Sequence, residues 1–335
     1  MDRRPTSHDV ARLAGVSQST VSFVFTGRPG ISEATRTRVL QAAAELSYRP
    51  NLAARSMRTQ RTGRLAVVAP ISTLYPVTLL SGAIAAAQQE DYVVEVVSLP
   101  PTTADRDERL AEVIESRQYE GILSFTPLRA PAAAADTGTV VLAVGELDDE
   151  MHVTGEFTDA QPIVEMMEHL AAMGHRRFVH FAGPQDYPSA RARRQAYLAT
   201  VQRLGLTSLG VVDGDWSGRS GEEALNSLPD DAPPLAVIAA NDVVATGALR
   251  AATLRGWTVP GDVSITGWDD HHQSAYLVPS LTSVAQDRER LGAHSMRRLI
   301  ASVRGEAAPD KPEGLLRIIW RESTGAPGVA DDRAG

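Results

Sequence analysis

From Arg64 onward, short apolar runs alternate with segments of helical periodicity, and this alternation restricts the possible folds more than any other feature of the chain. LAVVAP, YVVEVVSL, GILSF and TVVLAV read as strands, with helices near 77–90 and 104–117 between them. A helix near 159–173, FVHFAG, a helix near 187–204, LGVVDG, LAVIAAND, a helix near 241–255 and DVSITGWDD repeat the scheme. Strand and helix in alternation imply parallel sheets covered on both faces by their crossover helices. Two such units in series predict an α/β body of two lobes.

The first 60 residues follow a different pattern. Thr6 and Asp9 fit a capping box, in which each side chain satisfies an orphan N–H at a helix start. A first helix is therefore predicted from about Ser7, with Val10, Ala11, Leu13 and Ala14 on one face. Gly15 follows where a turn of positive φ carries no Cβ penalty. Ser17 caps a second helix, in which Val21 and Val24 face inward at i, i+3 and leave Gln18, Ser19, Ser22 and Phe23 pointing elsewhere. Short polar groups at the start of a second helix suit contact with base edges and phosphates, as in a helix-turn-helix. An ordinary helical hairpin has the same outline, and spacing alone leaves both open. A third helix is predicted from the Ser32 cap through Val39, Ala42, Ala43 and Leu46 to Tyr48, ended by Pro50. Asn51 to Arg58 has helix-forming residues and two arginines, but about two turns are marginal in water because nucleation is costly. It is expected to order only when something organises it; a plain Arg-rich linker is the alternative.

Charge divides along the same boundary. The 335-residue chain carries a net −8, yet residues 1–60 hold nine arginines and four acidic residues, +5, which leaves −13 on the remainder. A basic head on an acidic body confines nucleic-acid affinity to one end. There is no cysteine, so disulfides and thiolate metal sites are excluded. MDRRPTSHDV has no apolar signal core, and no run approaches the roughly 20 apolar residues of a membrane span, so the expectation is a cytoplasmic protein without membrane partners.

DVARLAGVSQSTVS, then GRPGISEATRTRVLQAAAELSYRPN, then AARSM, resemble the DNA-binding head of the lactose-repressor and galactose-repressor (LacI/GalR) family, and later motifs extend the resemblance to about residue 325. The resemblance implies a three-helix head at 1–50 and a hinge helix at 51–61. A two-lobed, periplasmic-binding-protein-like body at 62–325 would follow, with a disordered tail at 326–335. The chain would cross between lobes three times, giving one lobe at about 62–158 plus 287–315 and the other at about 159–286 plus 316–324. It further implies a homodimer on a pseudo-palindromic operator. In the head, Thr6, Ser17, Gln18, Ser19, Thr20, Ser22, Phe23, Arg28 and Tyr48 would serve the major groove and its phosphates. The hinge residues Asn51, Ala54, Arg55 and Met57 would enter the central minor groove. Met57 stands where the family usually has a wedging leucine, and methionine is a known wedge. Phe23 replaces a frequent arginine, exchanging a charge-assisted contact for a ring that can meet a thymine methyl, and Thr26 replaces a frequent asparagine. The operator is expected to differ from the usual half-site.

Ligand groups in such folds sit at the carboxyl ends of the parallel strands. Asp269 closes DVSITGW, Asn241 and Asp242 follow LAVIAA, Trp216 follows VVDGD, Tyr75 follows the first strand, and Gln286 lies at a lobe crossover. Arg193 occupies the position of the family's cleft arginine, and Phe125 and Ser189 complete the set implied by the resemblance. A guanidinium, a carboxylate, an amide and a flat ring match a small polyol. A packing role for Trp216, and a structural ion pair between Arg193 and Asp269, remain alternatives. Neither a cofactor nor a metal is implied: Asp269, Asp270, His271 and His272 are adjacent in sequence and cannot all converge on one ion without unusual backbone geometry.

G-x-S-x-G, H-E-x-x-H, Walker A and G-x-G-x-x-G patterns are absent. The reading is a non-enzymatic, dimeric, sequence-specific repressor of carbohydrate-use genes, switched by a sugar-like effector between the lobes. The alternative is a co-repressor-dependent regulator with a nucleoside or purine-type effector. A sugar-binding or sugar-modifying protein would need an export signal or phosphate-cradling glycines, and a DNA-packaging protein would need a basic body.

Overall fold

The computed structural model describes residues 5–25, 30–48, 61–69, 76–98, 100, 103–127, 138–148 and 152–328. Arg28, Asn51, Ala54, Arg55, Met57, Tyr75 and most of the 326–335 tail lie outside the described residues. The chain divides into two compact units, Met1–Gly63 and Arg64–Gly335.

In the first unit, helices α1 (Ser7–Ala14), α2 (Gln18–Phe25) and α3 (Glu33–Glu45) enclose one small core. The Thr6 N–H and hydroxyl both donate to the Asp9 carboxylate, at 2.9 and 2.7 Å, completing the capping box. Gly15 takes φ 63° and reverses the chain. The Ser17 hydroxyl accepts from Thr20 N–H at 3.1 Å, and Ser32 accepts from Thr35 N–H at 3.3 Å, so each later helix begins on a serine cap. Val10, Ala11, Ala14, Val21, Val24, Val39, Ala42 and Ala43 are buried together. Helix α3 stops at Glu45, three residues before the predicted end at Tyr48. Ser47 turns left-handed at φ 51°, and Tyr48 N–H bonds back to the Ala43 carbonyl. That reversal brings the Tyr48 ring edge-on to Phe25, 5.8 Å between centroids, and packs it against the head core.

The second unit contains two four-stranded parallel sheets. Strands β1 (Arg64–Ala69), β2 (Val93–Ser98), β3 (Gly121–Ser124) and β4 (Val140–Ala143) form the first, in the order β2-β1-β3-β4. Helices α4 (Pro76–Gln89) and α5 (Thr103–Glu115) are its crossovers. Along β1, Leu65 and Val67 enter one core while Ala66 and Val68 enter another, the period-2 alternation of a sheet buried on both faces. After α6 (Gln161–Ala172), strands β5 (Arg177–Phe181), β6 (Thr207–Val212), β7 (Leu235–Ala239) and β8 (Val263–Thr266) repeat the topology as β6-β5-β7-β8. Helices α7 (Pro188–Leu204), α8 (Gly218–Asn226) and α9 (Asp242–Leu254) connect them. Strand β9 (Ser283–Gln286) pairs antiparallel with β10 (Leu316–Ile319). Between these two runs α10 (Arg288–Arg304), which returns to the first lobe and packs on α4. Among the described residues no helix is long and apolar enough to cross a membrane.

Helix α8 has no counterpart in the sequence reading, because GRSGEEALN is short and carries two glycines that lower helix propensity. Tertiary contact accounts for it. Ser217 caps it by accepting from Ser220 N–H at 3.1 Å, and Gly221 and Gly247 let α8 and α9 touch backbone to backbone. A Cβ on Gly221 would overlap the Val244 carbonyl, and one on Gly247 would overlap the Gly218 carbonyl. Gly82 and Gly292 do the same for α4 and α10. Gly221→Ala is expected to destabilise the protein by about 1–3 kcal/mol through overpacking, although alanine is the better helix former. Urea unfolding of the two proteins measures this; an equal or raised midpoint would show that the helices can separate without cost.

Candidate functional site

The second sheet reverses its strand order at β5, which sends the chain first to β6 on one side and then to β7 on the other. The crevice outside the carboxyl ends of such strands is where open α/β sheets receive ligands. Arg193 reaches it from α7, one turn after Ser189; both are buried, at 5% and 7% exposure. Its Nη1 donates to the Ala240 carbonyl at 2.6 Å. Its guanidinium lies 4.0 Å from the Trp268 ring centroid and 5.9 Å from that of Trp216. Stacking on weakly hydrated aromatic faces lets a guanidinium, which stays charged, sit in so dry a place.

Trp216 follows β6 with φ 66°, and its ring rests on Gly183, where any Cβ would overlap it. Asn241 follows β7 and serves two neighbours: Oδ1 accepts from Val244 N–H at 2.8 Å as the cap of α9, and Nδ2 donates to the Trp216 carbonyl at 3.4 Å. Asp269 follows β8 with φ 104°, and its carboxylate accepts from Gln286 Nε2 at 2.8 Å. Left-handed backbone at non-glycine residues costs on the order of 1 kcal/mol each and persists where the surroundings over-determine it. The structure therefore brings Arg193, Trp216, Asn241, Asp269 and Gln286, with Ser189 beside them, to one edge of the second lobe. Phe125 is placed differently: it is 1% exposed and packs in the first-lobe core with Leu147 and Phe157.

Three contributors, His152, Tyr187 and Arg288, were not singled out in the sequence, and Asp242, which the sequence placed after LAVIAA, turns out to be engaged within the protein. The Asp242 carboxylate is 2% exposed and accepts from the His271 N–H and the Ser274 and Ser283 hydroxyls, which pins the segment after Asp269. Burial pushes its pKa up, and these three donors pull the other way. The His152 ring lies tilted against Tyr187 at 3.9 Å between centroids, and Tyr187 meets Trp216 edge-on at 5.6 Å. Because Val153, bridged to Leu147, packs in the first-lobe core, this chain of rings runs from one lobe to the other. Arg288 supplies the cation beside Asp269, at 3.3 Å. Its only signal in the sequence was its place two residues after Gln286. Asp270, beside Asp269, pairs with Arg321 at 2.7 Å. A depression of about 460 Å³ between α6 and β10, where the His169 ring lies tilted against Trp320, holds none of the residues singled out from the sequence.

On the head, Ser17, Gln18, Ser19 and Phe23 are exposed, and Thr20 and Ser22 are half-buried. Gln18 Nε2 donates to the Ser7 hydroxyl at 3.0 Å, which holds the amide at the α1–α2 corner. Thr6 is half-buried in its capping box, and Tyr48 is half-buried against Phe25.

Residues 6–51 match the family described as bacterial regulatory proteins, lacI family, and residues 167–324 match the periplasmic binding protein-like domain. The HTH-type transcriptional regulator CelR of Thermobifida fusca is 31% identical over 340 residues, spanning 96% of this chain and 98% of that protein. The chain belongs to the lacI family of bacterial regulatory proteins. It is a DNA-binding transcriptional regulator, not an enzyme. Among solved structures, the regulator is similar to the lac repressor dimer bound to operator and the anti-inducer ONPF. There the TM-score is 0.69 at 28% identity, over 97% of this chain and 100% of that one. It is also similar to the CelR–cellobiose complex, at TM-score 0.57 and 28% identity, over 96% of this chain and 100% of that one.

Beneath the crevice, His180 on β5 is fully buried. Its Nδ1 pairs with the Ile238 carbonyl at 2.8 Å and its ring stacks on Tyr197 at 5.4 Å. Burial lowers its pKa from 6.5 to about 4, against the opposing effect of the carbonyl bond. A folded-state value below the unfolded one means stability that is fully present above pH 6.5 and is lost as pH falls toward 4. Between pH 7 and pH 5 this group is expected to withdraw about 2 kcal/mol. Denaturant unfolding of wild type and His180→Gln at both pH values measures it; an equal pH dependence in the two proteins would assign the loss to other groups.

Proposed function

We propose that this regulator is a homodimeric cytoplasmic repressor of carbohydrate-use genes, whose grip on a pseudo-palindromic operator is released by a small sugar bound between its two lobes. The observation that carries the effector half is the convergence of Arg193, Trp216, Asn241, Asp269 and Gln286 at the carboxyl ends of β5–β9. The guanidinium and carboxylate offer paired hydrogen bonds to adjacent hydroxyls, the amide both donates and accepts, and the indole meets the apolar face of a sugar ring. Support comes from a relative solved with cellobiose and from a lac repressor dimer solved with operator and an anti-inducer. Ser189, and Tyr75 after β1, belong to the same proposed pocket, with Phe125 packed behind the first-lobe wall.

The DNA half rests on α2. Ser17, Gln18, Ser19, Thr20, Ser22 and Phe23 face the major groove, while Thr6, Arg28 and Tyr48 hold the head against phosphates. Asn51, Ala54, Arg55 and Met57 enter the central minor groove from the paired hinges. Cleft closure alters the spacing at which the two hinges can pair, so effector and operator oppose each other with equal coupling, typically about 1–3 kcal/mol.

Two measurements test this. Gln18→Ala with Ser19→Ala is expected to weaken operator binding by roughly 1–3 kcal/mol per lost base contact, while salt-dependent binding to random DNA stays nearly unchanged. Equal losses on both DNAs would refute the recognition-helix assignment. In gel-shift titrations against mono- and disaccharides, one sugar is expected to release the wild type. Trp216→Ala should need at least about tenfold more of it, a loss of about 1.4 kcal/mol. A sugar that tightens the wild-type complex would reverse the switch and point to co-repression. Release of a folded Trp216→Ala protein at the wild-type concentration would move the pocket elsewhere.

A further inference from the structure

A cavity of about 270 Å³ lies in the first lobe, and its described lining shares no residue with the crevice set. Three stretches wall it: the connection from β4 to α6, the first half of α10, and the connection from α10 to β10. It is smaller than the pockets that hold drug-sized molecules, so it suits a ligand of few heavy atoms.

One wall carries a buried carboxylate. Glu146 is 8% exposed, and its Oε2 accepts from the Glu156 N–H at 3.0 Å. Gly155 makes that seat possible, because a Cβ there would overlap the same oxygen. Among the described residues no donor bonds Oε1. Burial pushes the Glu146 pKa up, against the pull of the Glu156 N–H. A carboxylate this far from water is costly to keep charged without a cation of its own.

The positive side comes from α10. His294 and Arg298 stand one helical turn apart and both line the cavity, half-buried. Among the described residues Arg298 makes no hydrogen bond or ion pair, and it acts on Glu146 only through its charge. Burial, then the charges of Arg298 and Arg297, lower the His294 pKa, so the ring is neutral at pH 7 and keeps one N–H to donate. Lys311, by contrast, is paired with Glu156 at 2.9 Å. Leu291, Pro309 and Pro312 add apolar surface.

A ligand with a single charge leaves this cavity unbalanced. An anion on Arg298 would face the Glu146 carboxylate, and a cation on Glu146 would face Arg298. A molecule with both charges meets each with its opposite. We propose that the cavity binds a small zwitterion, an α-amino acid with an apolar side chain: its ammonium donates to Glu146 Oε1, its carboxylate accepts from Arg298 and His294, and its side chain lies against Leu291 and the two prolines. Paired bonds from a guanidinium suit that carboxylate. This site stands apart from the cleft and does not depend on the sugar reading.

The test is calorimetry of the full-length protein with L-leucine, L-isoleucine, L-valine and L-methionine, each beside its deaminated and its decarboxylated analogue; for leucine these are isocaproate and isoamylamine. At least one amino acid is expected to bind, and removing either charge should weaken it by about tenfold or more. Glu146→Gln and Arg298→Gln should each weaken the same amino acid by about tenfold, and Arg298→Lys by less, with circular dichroism confirming the fold. An analogue that binds as tightly as its amino acid overturns the inference, and this comparison needs only the wild type, so it decides even where a variant fails to fold. Binding that survives both substitutions, or that Trp216→Ala abolishes, places the ligand elsewhere and also overturns it, as does binding by none of the four amino acids.

Discussion

The antiparallel pairing of β9 with β10 is the constraint on which the rest of the body depends. Gln286 faces Leu316 and Ser283 faces Ile319 across this short ladder, and Asp287 N–H extends it to the Leu315 carbonyl. Parallel bridges from Thr266 to Thr282 and from Asp269 to Ala285 join β9 to the second sheet, yet both paired strands lead into first-lobe structure at α10 and Leu315. Leu316 packs against the cores of both lobes. Two of the chain's crossings are thereby zipped together. Asp269 is bridged directly to it, which places the carboxylate proposed for the effector beside these crossings.

Strain and burial at the cleft edge serve that arrangement. Trp216 and Asp269 both hold left-handed backbone, a cost tolerated because Gly183 receives the indole, Asn241 ties its carbonyl, and Asp242 anchors the segment that follows Asp269. The Arg193 guanidinium between Trp216 and Trp268, and the ring contacts through Tyr187 to His152, extend the same rigid surface toward the first lobe. A pre-set surface of this kind loses little side-chain entropy when a ligand arrives. Ligand contacts made there can bias a lobe equilibrium only through their difference between the open and closed arrangements.

Helix packing supplies the stiffness behind these crossings. Where α4 meets α10 and α8 meets α9, paired glycines let the backbones approach closely, so each lobe carries a tightly packed helix pair. Interfaces that tight shift as units and transmit a displacement at one end to the other. The carbonyl of Glu289, one residue after Arg288, is the atom that a Cβ on Gly82 would strike, so the helix pair of the first lobe starts beside the ion pair to Asp269.

Local signals were enough to place the head and most of the sheet. The Thr6–Asp9 capping box, the serine caps at Ser17 and Ser32, the turn at Gly15 and the near-continuous apolar strands are short-range patterns, set by backbone hydrogen bonding and by burial on both strand faces. Strand-end position was likewise enough to nominate Trp216, Asn241 and Asp269, because ligand groups in open α/β sheets gather at the carboxyl edge, whereas Arg193, inside a helix, was nominated by the family resemblance. Contacts between distant segments had no local signature. The end of α3 at Glu45 follows from Tyr48 packing on Phe25. Helix α8 exists because Gly221 and Gly247 let it lie on α9, against its own propensity. Arg288 becomes the partner of Asp269 only because β9 carries the chain back past β8 before α10 begins. Such pairings depend on which segments the fold makes neighbours, and neighbours in space are fixed by sheet order and helix packing, which no stretch of sequence encodes by itself.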